Sequence, residues 1–251
     1  MKSYTYIANW KMYRSLAQAV LWSQEHRNKL EQLSVENNCS IIICPSNQSL
    51  YALQNIFEGT SITLGAQDCS EFDCGPHTGQ SSALSLAQAG AKYCIVGHTE
   101  VRTYYHQSND IIAHKLTQVI QDGLTPIICI GETIEQHTDK QSQAVITEQL
   151  TPLIQIAAAK NAQKLFIAYE PVWAIGTGSI PSPEYIQTMI AHIDQLCKKY
   201  LTTTKYNLLY GGSVTPQTIS QLKAITIIDG FLIGSASLDF QKLQNIVSCT
   251  V

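Results

Sequence analysis

The chain has 251 residues, 45% of them hydrophobic and 14% charged, enough to bury one large core at a length where single α/β barrels are common. A formal charge of −3, from 16 Lys and Arg against 19 Asp and Glu, supplies no basic stripe to track a nucleic-acid backbone. No apolar run approaches the roughly 20 residues that span a bilayer, and Met1 to Thr5 lead into a strand pattern without a signal-peptide core, so the expectation is a cytoplasmic protein with no nucleic-acid or membrane partner.

The first short apolar run, residues 4–9, ends on Asn9. Lys11 follows two positions later, a spacing that puts both on one side of an extended strand. Residues 16–33 carry apolar side chains at helical spacing. Runs 41–44 and 62–66 read as the next two strands. The segment 67–79 after them is too long for an ordinary turn between strand and helix. Run 93–97 ends on Gly97, whose missing side chain lets the backbone approach closely, and exits into His98-Thr99-Glu100-Val101-Arg102. A helix over 111–120, a strand over 126–131 and a helix over 144–159 come next.

Run 165–169 exits into a carboxylate, Glu170, followed by Pro171-Val-Trp-Ala-Ile-Gly176-Thr-Gly178. Stiff apolar contents between proline and Gly-Thr-Gly suit a lid with mobile ends. Ser182-Pro183, ahead of a helix over 185–201, and Thr215-Pro216 each set a capping hydroxyl before a first-turn proline. The last two strands, 208–211 and 231–234, exit into Gly212-Ser213-Val214 and Ser235-Ala236-Ser237. Both exits offer small residues whose amides can converge on an anion, ahead of helix starts at Thr215-Pro216 and Ser237.

Eight strand runs alternate with helical stretches, and runs apolar on both faces belong to parallel strands buried under helices. The predicted fold is α/β, a single-domain (β/α)₈ barrel over residues 1–251 with eight parallel strands ringed by helices. A doubly wound open sheet fits less well, because no G-x-G-x-x-G follows the first strand and polar exits are spread over several strands. The eight cysteines lack paired C-x-x-C spacing, so neither a zinc site nor a disulfide framework is signalled. Cys44, Cys94 and Cys129 sit inside apolar runs as small buried hydrophobes. His26, His77, His106, His114, His137 and His192 fall in helices or loops with no converging partners and are assigned no chemistry.

Asn9-x-Lys11, Gly-His98-Thr-Glu100, Tyr-Glu170-Pro-Val-Trp-Ala-Ile-Gly-Thr-Gly178, Tyr-Gly-Gly-Ser213-Val and Asp229-Gly-Phe-Leu-Ile-Gly234-x-Ala-Ser-Leu238 together resemble the triosephosphate isomerase family along nearly the whole chain. The resemblance implies interconversion of dihydroxyacetone phosphate and D-glyceraldehyde 3-phosphate through an enediolate. It makes Glu170 the proton-shuttling base, His98 the neutral electrophile and Lys11 the charge stabiliser. Asn9 and Lys11 would bind the substrate, with the amides of Gly176, Ser213, Gly234 and Ser235 on its phosphate. Glu100, Thr78 and Cys129 would support the site, without cofactor or metal. The resemblance also implies a homodimer in which the 67–79 loop brings Thr78 near the second subunit's Asn9, Lys11 and Glu100. A phosphate-binding barrel with altered catalysis is the alternative, against which Lys11, His98 and Glu170 all remain. The chain departs from the family pattern at Val101, in place of an arginine, at His77, in place of an aromatic before Thr-Gly, at Ser179 after Gly178, where the family commonly has Lys, and at Ser235, often a second glycine.

Overall fold

In the computed structural model, which describes residues 2–177 and 180–250, eight strands pair in parallel and in sequence order into a closed barrel. Gly178 and Ser179, where the family's Lys is replaced, lie outside the described residues. The strands are β1 (Thr5–Asn9), β2 (Ser40–Cys44), β3 (Thr63–Ala66), β4 (Tyr93–Val96), β5 (Thr125–Ile130), β6 (Lys164–Tyr169), β7 (Lys205–Tyr210) and β8 (Gly230–Ile233). Thr5 stands opposite both Ser40 and Gly230, closing the ring between the first and last strands. A Cβ at Gly230 would fall 2.1 Å from the Thr5 carbonyl oxygen, so the seam requires glycine there.

The apolar runs have two buried faces because the barrel has two cores. Ile7, Ile42, Ile95, Ile127 and Phe166 fill the interior. Tyr6, Ile43, Val96, Ile128 and Ile167 pack outward beneath the helices. This arrangement is why the strands read as continuous apolar runs rather than as alternations. The helices around it are α1 (Leu16–Glu36), α2 (Leu50–Phe57), α3 (Ala83–Gln88), α4 (Thr99–Tyr104), α5 (Asn109–Gln121), α6 (Ile134–Thr138), α7 (Ser142–Ala159), α8 (Pro183–Tyr200), α9 (Ile219–Lys223) and α10 (Phe240–Val247). Among the described residues, no helix is long and apolar enough to cross a membrane.

Ser182 caps α8 as its Ser-Pro pair predicts, its hydroxyl accepting from Tyr185 N. Two other helix starts differ from the sequence reading. Thr215 accepts from Gln217 N and Thr218 N, which closes a turn, and the α-helix begins only at Ile219. Ser237 lies inside a 3₁₀ turn (Ser235–Leu238), its hydroxyl donating to the Gly234 carbonyl, while Asp239 caps α10. A side-chain oxygen bonds amides two or three residues on in turns as readily as in helices, so the residue pattern does not separate the two. β7 begins three residues before the apolar run 208–211, because Lys205, Tyr206 and Asn207 pair with Lys164, Leu165 and Phe166 at the barrel's amino-terminal rim.

Candidate active site

Glu170 leaves β6 with its backbone N–H donating to Ile130 O at 2.8 Å, continuing the ladder. Glycines on both flanking strands make room for it. A Cβ at Gly131 would lie 1.7 Å from the Glu170 carbonyl oxygen, and one at Gly211 2.9 Å from Glu170 Cγ. The carboxylate is 2% exposed. Its Oε2 accepts from Thr99 N at 3.2 Å and its Oε1 lies 3.3 Å from His98 Nε2. Burial above all, together with the Glu170 carboxylate, pushes the neighbouring Cys129 thiol well above its ordinary pKa. Cys129 thus stays protonated beside the carboxylate and adds no second negative charge.

Gly97 takes φ +73°. A Cβ there would meet Arg102 Nη2 at 2.9 Å and Cys129 O at 3.2 Å, so the turn after β4 requires glycine on both conformational and steric grounds. His98 then caps α4, and its Nδ1 accepts from Glu100 N at 3.2 Å. A backbone N–H can only donate, so Nδ1 carries no proton. That contact casts Nδ1 as the acceptor and leaves Nε2 as the ring nitrogen that faces Glu170. Arg102 fastens this loop, with Nε donating to Gly97 O at 2.7 Å, Nη2 to Cys129 O at 3.2 Å and Nη1 to Asn109 Oδ1 at 2.8 Å. Burial lowers the Arg102 pKa, an effect that Cys129 and Glu170 oppose.

Lys11 reaches the site by a different route from the one its spacing predicts. β1 stops at Asn9 and Lys11 adopts a left-handed conformation, φ +48°, so strand alternation does not aim it. Asn9, buried at the strand end, accepts from Lys11 N at 3.1 Å through Oδ1. Gln67 clamps the other side, its amide donating to Lys11 O at 2.8 Å and to Cys44 O at 2.9 Å. The ammonium pairs with Glu100 Oε1 at 2.6 Å, and Lys11 Cε lies 3.7 Å from where Gly234 would carry a Cβ. The first, fourth and eighth strand exits therefore meet at Lys11.

Of the predicted phosphate-binding residues, Gly234 and Ser235 open the 3₁₀ turn after β8. Ser213 is buried after β7, and its hydroxyl donates to Ala174 O at 2.7 Å. Thr177 Oγ1 donates to the same carbonyl at 3.1 Å, and Gly176 between them is exposed with φ +72°. Thr78 is exposed; with Asn9, Lys11, His98 and Glu100 it lines a recess of about 840 Å³. Among the described residues, no group of three or more His, Cys, Asp or Glu is placed to hold a metal ion.

Glu132 escaped the sequence reading. It is fully buried, and its Oε1 accepts from Tyr169 OH at 3.0 Å, Trp173 Nε1 at 2.9 Å and Tyr185 OH at 2.9 Å. Its signal was a polar residue after Gly131 at the fifth strand exit, the same Gly-then-polar pattern as Gly97-His98. Four of the histidines assigned no chemistry make polar contacts, and His77 stacks on Phe72 with ring centroids 3.8 Å apart. His26 Nδ1 lies 2.8 Å from Trp22 O, His114 Nδ1 3.4 Å from Glu71, His137 Nδ1 2.9 Å from Tyr185 OH, and His192 Nε2 2.8 Å from Thr147 Oγ1. Their partners are distant in sequence or are backbone groups, which a residue pattern does not reveal.

A closed parallel barrel with a carboxylate, an imidazole and an ammonium gathered at its carboxyl end defines a (β/α)₈-barrel enzyme equipped for acid–base chemistry. The family model for triosephosphate isomerase matches residues 5–250. Triosephosphate isomerases of Bacteroides fragilis and Carboxydothermus hydrogenoformans are 36% and 35% identical to the chain, over 95% and 97% respectively of both sequences. The crystal structure of the Bartonella henselae triosephosphate isomerase superposes with a TM-score of 0.83 at 31% identity, covering 97% of each chain. The chain belongs to the triosephosphate isomerase family.

Proposed function

We infer that the chain, acting as one barrel domain, interconverts dihydroxyacetone phosphate and D-glyceraldehyde 3-phosphate by proton transfer through an enediolate. Glu170 takes a proton from the carbon beside the carbonyl and returns one to the adjacent carbon. His98 donates through Nε2–H to the substrate oxygen on which charge develops, and its neutral form lets it serve both oxygens in turn. Lys11 offsets the negative charge of the enediolate and the phosphate. Asn9 fixes Lys11 and faces the substrate, while the amides of Gly176, Ser213, Gly234 and Ser235 hold the phosphate. Closing the 171–177 lid excludes water, which protects an intermediate able to expel phosphate.

The observation that carries this reading is the 3.3 Å approach of the buried Glu170 carboxylate to His98 Nε2, the ring nitrogen opposite the one that accepts from the Glu100 amide. Base and electrophile thus share one small volume, as proton transfer between adjacent carbons requires. Lys11 is held by Glu100 at 2.6 Å, so Glu100 keeps the ammonium in place for the substrate. A coupled assay on D-glyceraldehyde 3-phosphate in the presence of EDTA tests the reading. Turnover that survives the chelator supports it, and turnover restored only by a divalent ion refutes it.

The same reading includes a twofold homodimer through the 67–79 loop. Its support is a set of exposed apolar side chains, Met12, Phe72 and Tyr105, that line the same recess as Thr78, of a kind that marks association surfaces. Asp68 Oδ1 within the loop and Gln107 Oε1, whose own amide donates to Asp68, are also buried without a partner among the described residues. Sedimentation and specific activity followed together on dilution test the dimer, with Thr78→Arg as the disrupting variant. A fully active monomer refutes the dependence of the site on a second subunit.

A further inference from the structure

Trp173 lies in the short 3₁₀ turn (Val172–Ala174) that begins the lid. Its indole N–H donates to Glu132 Oε1 at 2.9 Å. One face of the indole is covered by the imidazole of His137, with ring centroids 4.5 Å apart and planes 24° from parallel. His137 stands in the last turn of α6, and its Nδ1 is 2.9 Å from the hydroxyl of Tyr185 on α8. The Tyr185 ring meets His137 edge-on at 4.9 Å and Trp173 at 6.0 Å.

The proton directions follow from what each group can do. The single Tyr185 hydroxyl proton is donated to Glu132 Oε1 at 2.9 Å. The phenol oxygen is then left to accept from His137 Nδ1–H and from the Ser142 hydroxyl, 2.9 Å away. Tyr185 thereby fixes both the tautomer and the plane of His137. The proton-transfer steps make no use of His137, Tyr185 or Glu132, which join α6, α8 and the loop after β5 to the lid.

We propose that His137 is a positioning residue for the lid: oriented by Tyr185, it is the plate on which Trp173 rests, and it holds the lid in its resting arrangement. That arrangement is the one in which Lys11 is paired with Glu100 and Glu170 sits on the Thr99 amide. The inference rests on the isomerase reading and adds that Trp173 leaves the plate as the lid closes over a bound phosphate. Contacts made in only one of two arrangements shift the balance toward that arrangement. An aromatic stack of this kind is worth a factor of about two to ten.

The test compares wild type, His137→Ala and His137→Phe. Binding of phosphoglycolate, a two-carbon phosphate carrying a carboxylate, should tighten about threefold in His137→Ala. KM should fall in parallel, with kcat changing less than KM. His137→Phe keeps the plate and should stay close to wild type. With 5-fluorotryptophan incorporated, the ¹⁹F resonance of Trp173, assigned through Trp173→Phe, should move in ligand-free His137→Ala toward its position in phosphoglycolate-saturated wild type. A merely structural role would lower thermal stability without moving that resonance or splitting KM from kcat. Unchanged or weaker binding in His137→Ala, or His137→Phe behaving like His137→Ala, overturns the proposal. A wild type that fails to isomerise triose phosphates refutes the parent reading instead, and the resonance still reports whether the plate holds Trp173.

Discussion

Gly211→Ala displaces the proposed base without altering its chemistry. A Cβ at Gly211 would stand 2.9 Å from Glu170 Cγ, 3.4 Å from its Oε1 and 3.5 Å from Leu232 Cβ. Carbon pairs rest at about 3.5–4.0 Å, so the Glu170 methylene must retreat by roughly 0.6–1 Å. It has little room to do so, because the side chain is 2% exposed and His98 Nε2 stands 3.3 Å away on the reacting side. A misplacement of about 1 Å costs on the order of a hundredfold in rate, so kcat should fall roughly tenfold to a hundredfold. Overpacking should cost about 1–3 kcal/mol, lowering Tm by roughly 2–12 °C at about 2–4 °C per kcal/mol. Phosphoglycolate affinity should fall less than kcat, since three of the four proposed phosphate amides, those of Gly176, Gly234 and Ser235, lie on other loops. Steady-state kinetics, calorimetry and analogue titration on the same preparation separate these effects. Turnover within about twofold of wild type, alongside the predicted fall in Tm, would show that the position of Glu170 does not set the rate.

Glu170→Gln should lower kcat by on the order of 10²–10⁴-fold while leaving phosphate-analogue binding largely intact, which isothermal titration checks; an equal loss of affinity would make Glu170 structural. Lys11→Ala should raise KM and lower kcat together, because one ammonium serves the bound ester and the enediolate alike, whereas a change confined to Tm would leave it a structural charge. Removing residues 174–177 should release methylglyoxal, measured by trapping, as the uncovered enediolate eliminates phosphate; unchanged product partition would assign water exclusion to another element.

The barrel was legible because its strands lie between two apolar cores. Ile7 faces the interior while Tyr6 and Ala8 face the helices, so hydrophobic runs mark the strands directly. The polar exits were legible for a related reason: a residue such as Glu170 or His98 that ends an apolar run has only the carboxyl rim of the barrel to occupy. Backbone conformation was harder to read. Lys11 is aimed by a left-handed residue and by Gln67, 56 positions away, and neither leaves a periodic trace. Thr215 and Ser237 illustrate the ambiguity of small hydroxyl residues, which close turns and cap helices with the same bonds. Glu132 and the Tyr185–His137 pair show a further limit, because buried hydrogen-bond networks join elements that only the folded barrel brings together.

The central claim is that Glu170 moves a proton between adjacent carbons of a triose phosphate. The most direct measurement is isomerisation of dihydroxyacetone phosphate in D₂O followed by NMR, with wild type and Glu170→Gln side by side. Wild type should place solvent deuterium on the carbon next to the carbonyl in glyceraldehyde 3-phosphate and in recovered dihydroxyacetone phosphate, and Glu170→Gln should lose conversion and exchange together. Conversion or exchange that persists at the wild-type rate in Glu170→Gln would contradict it.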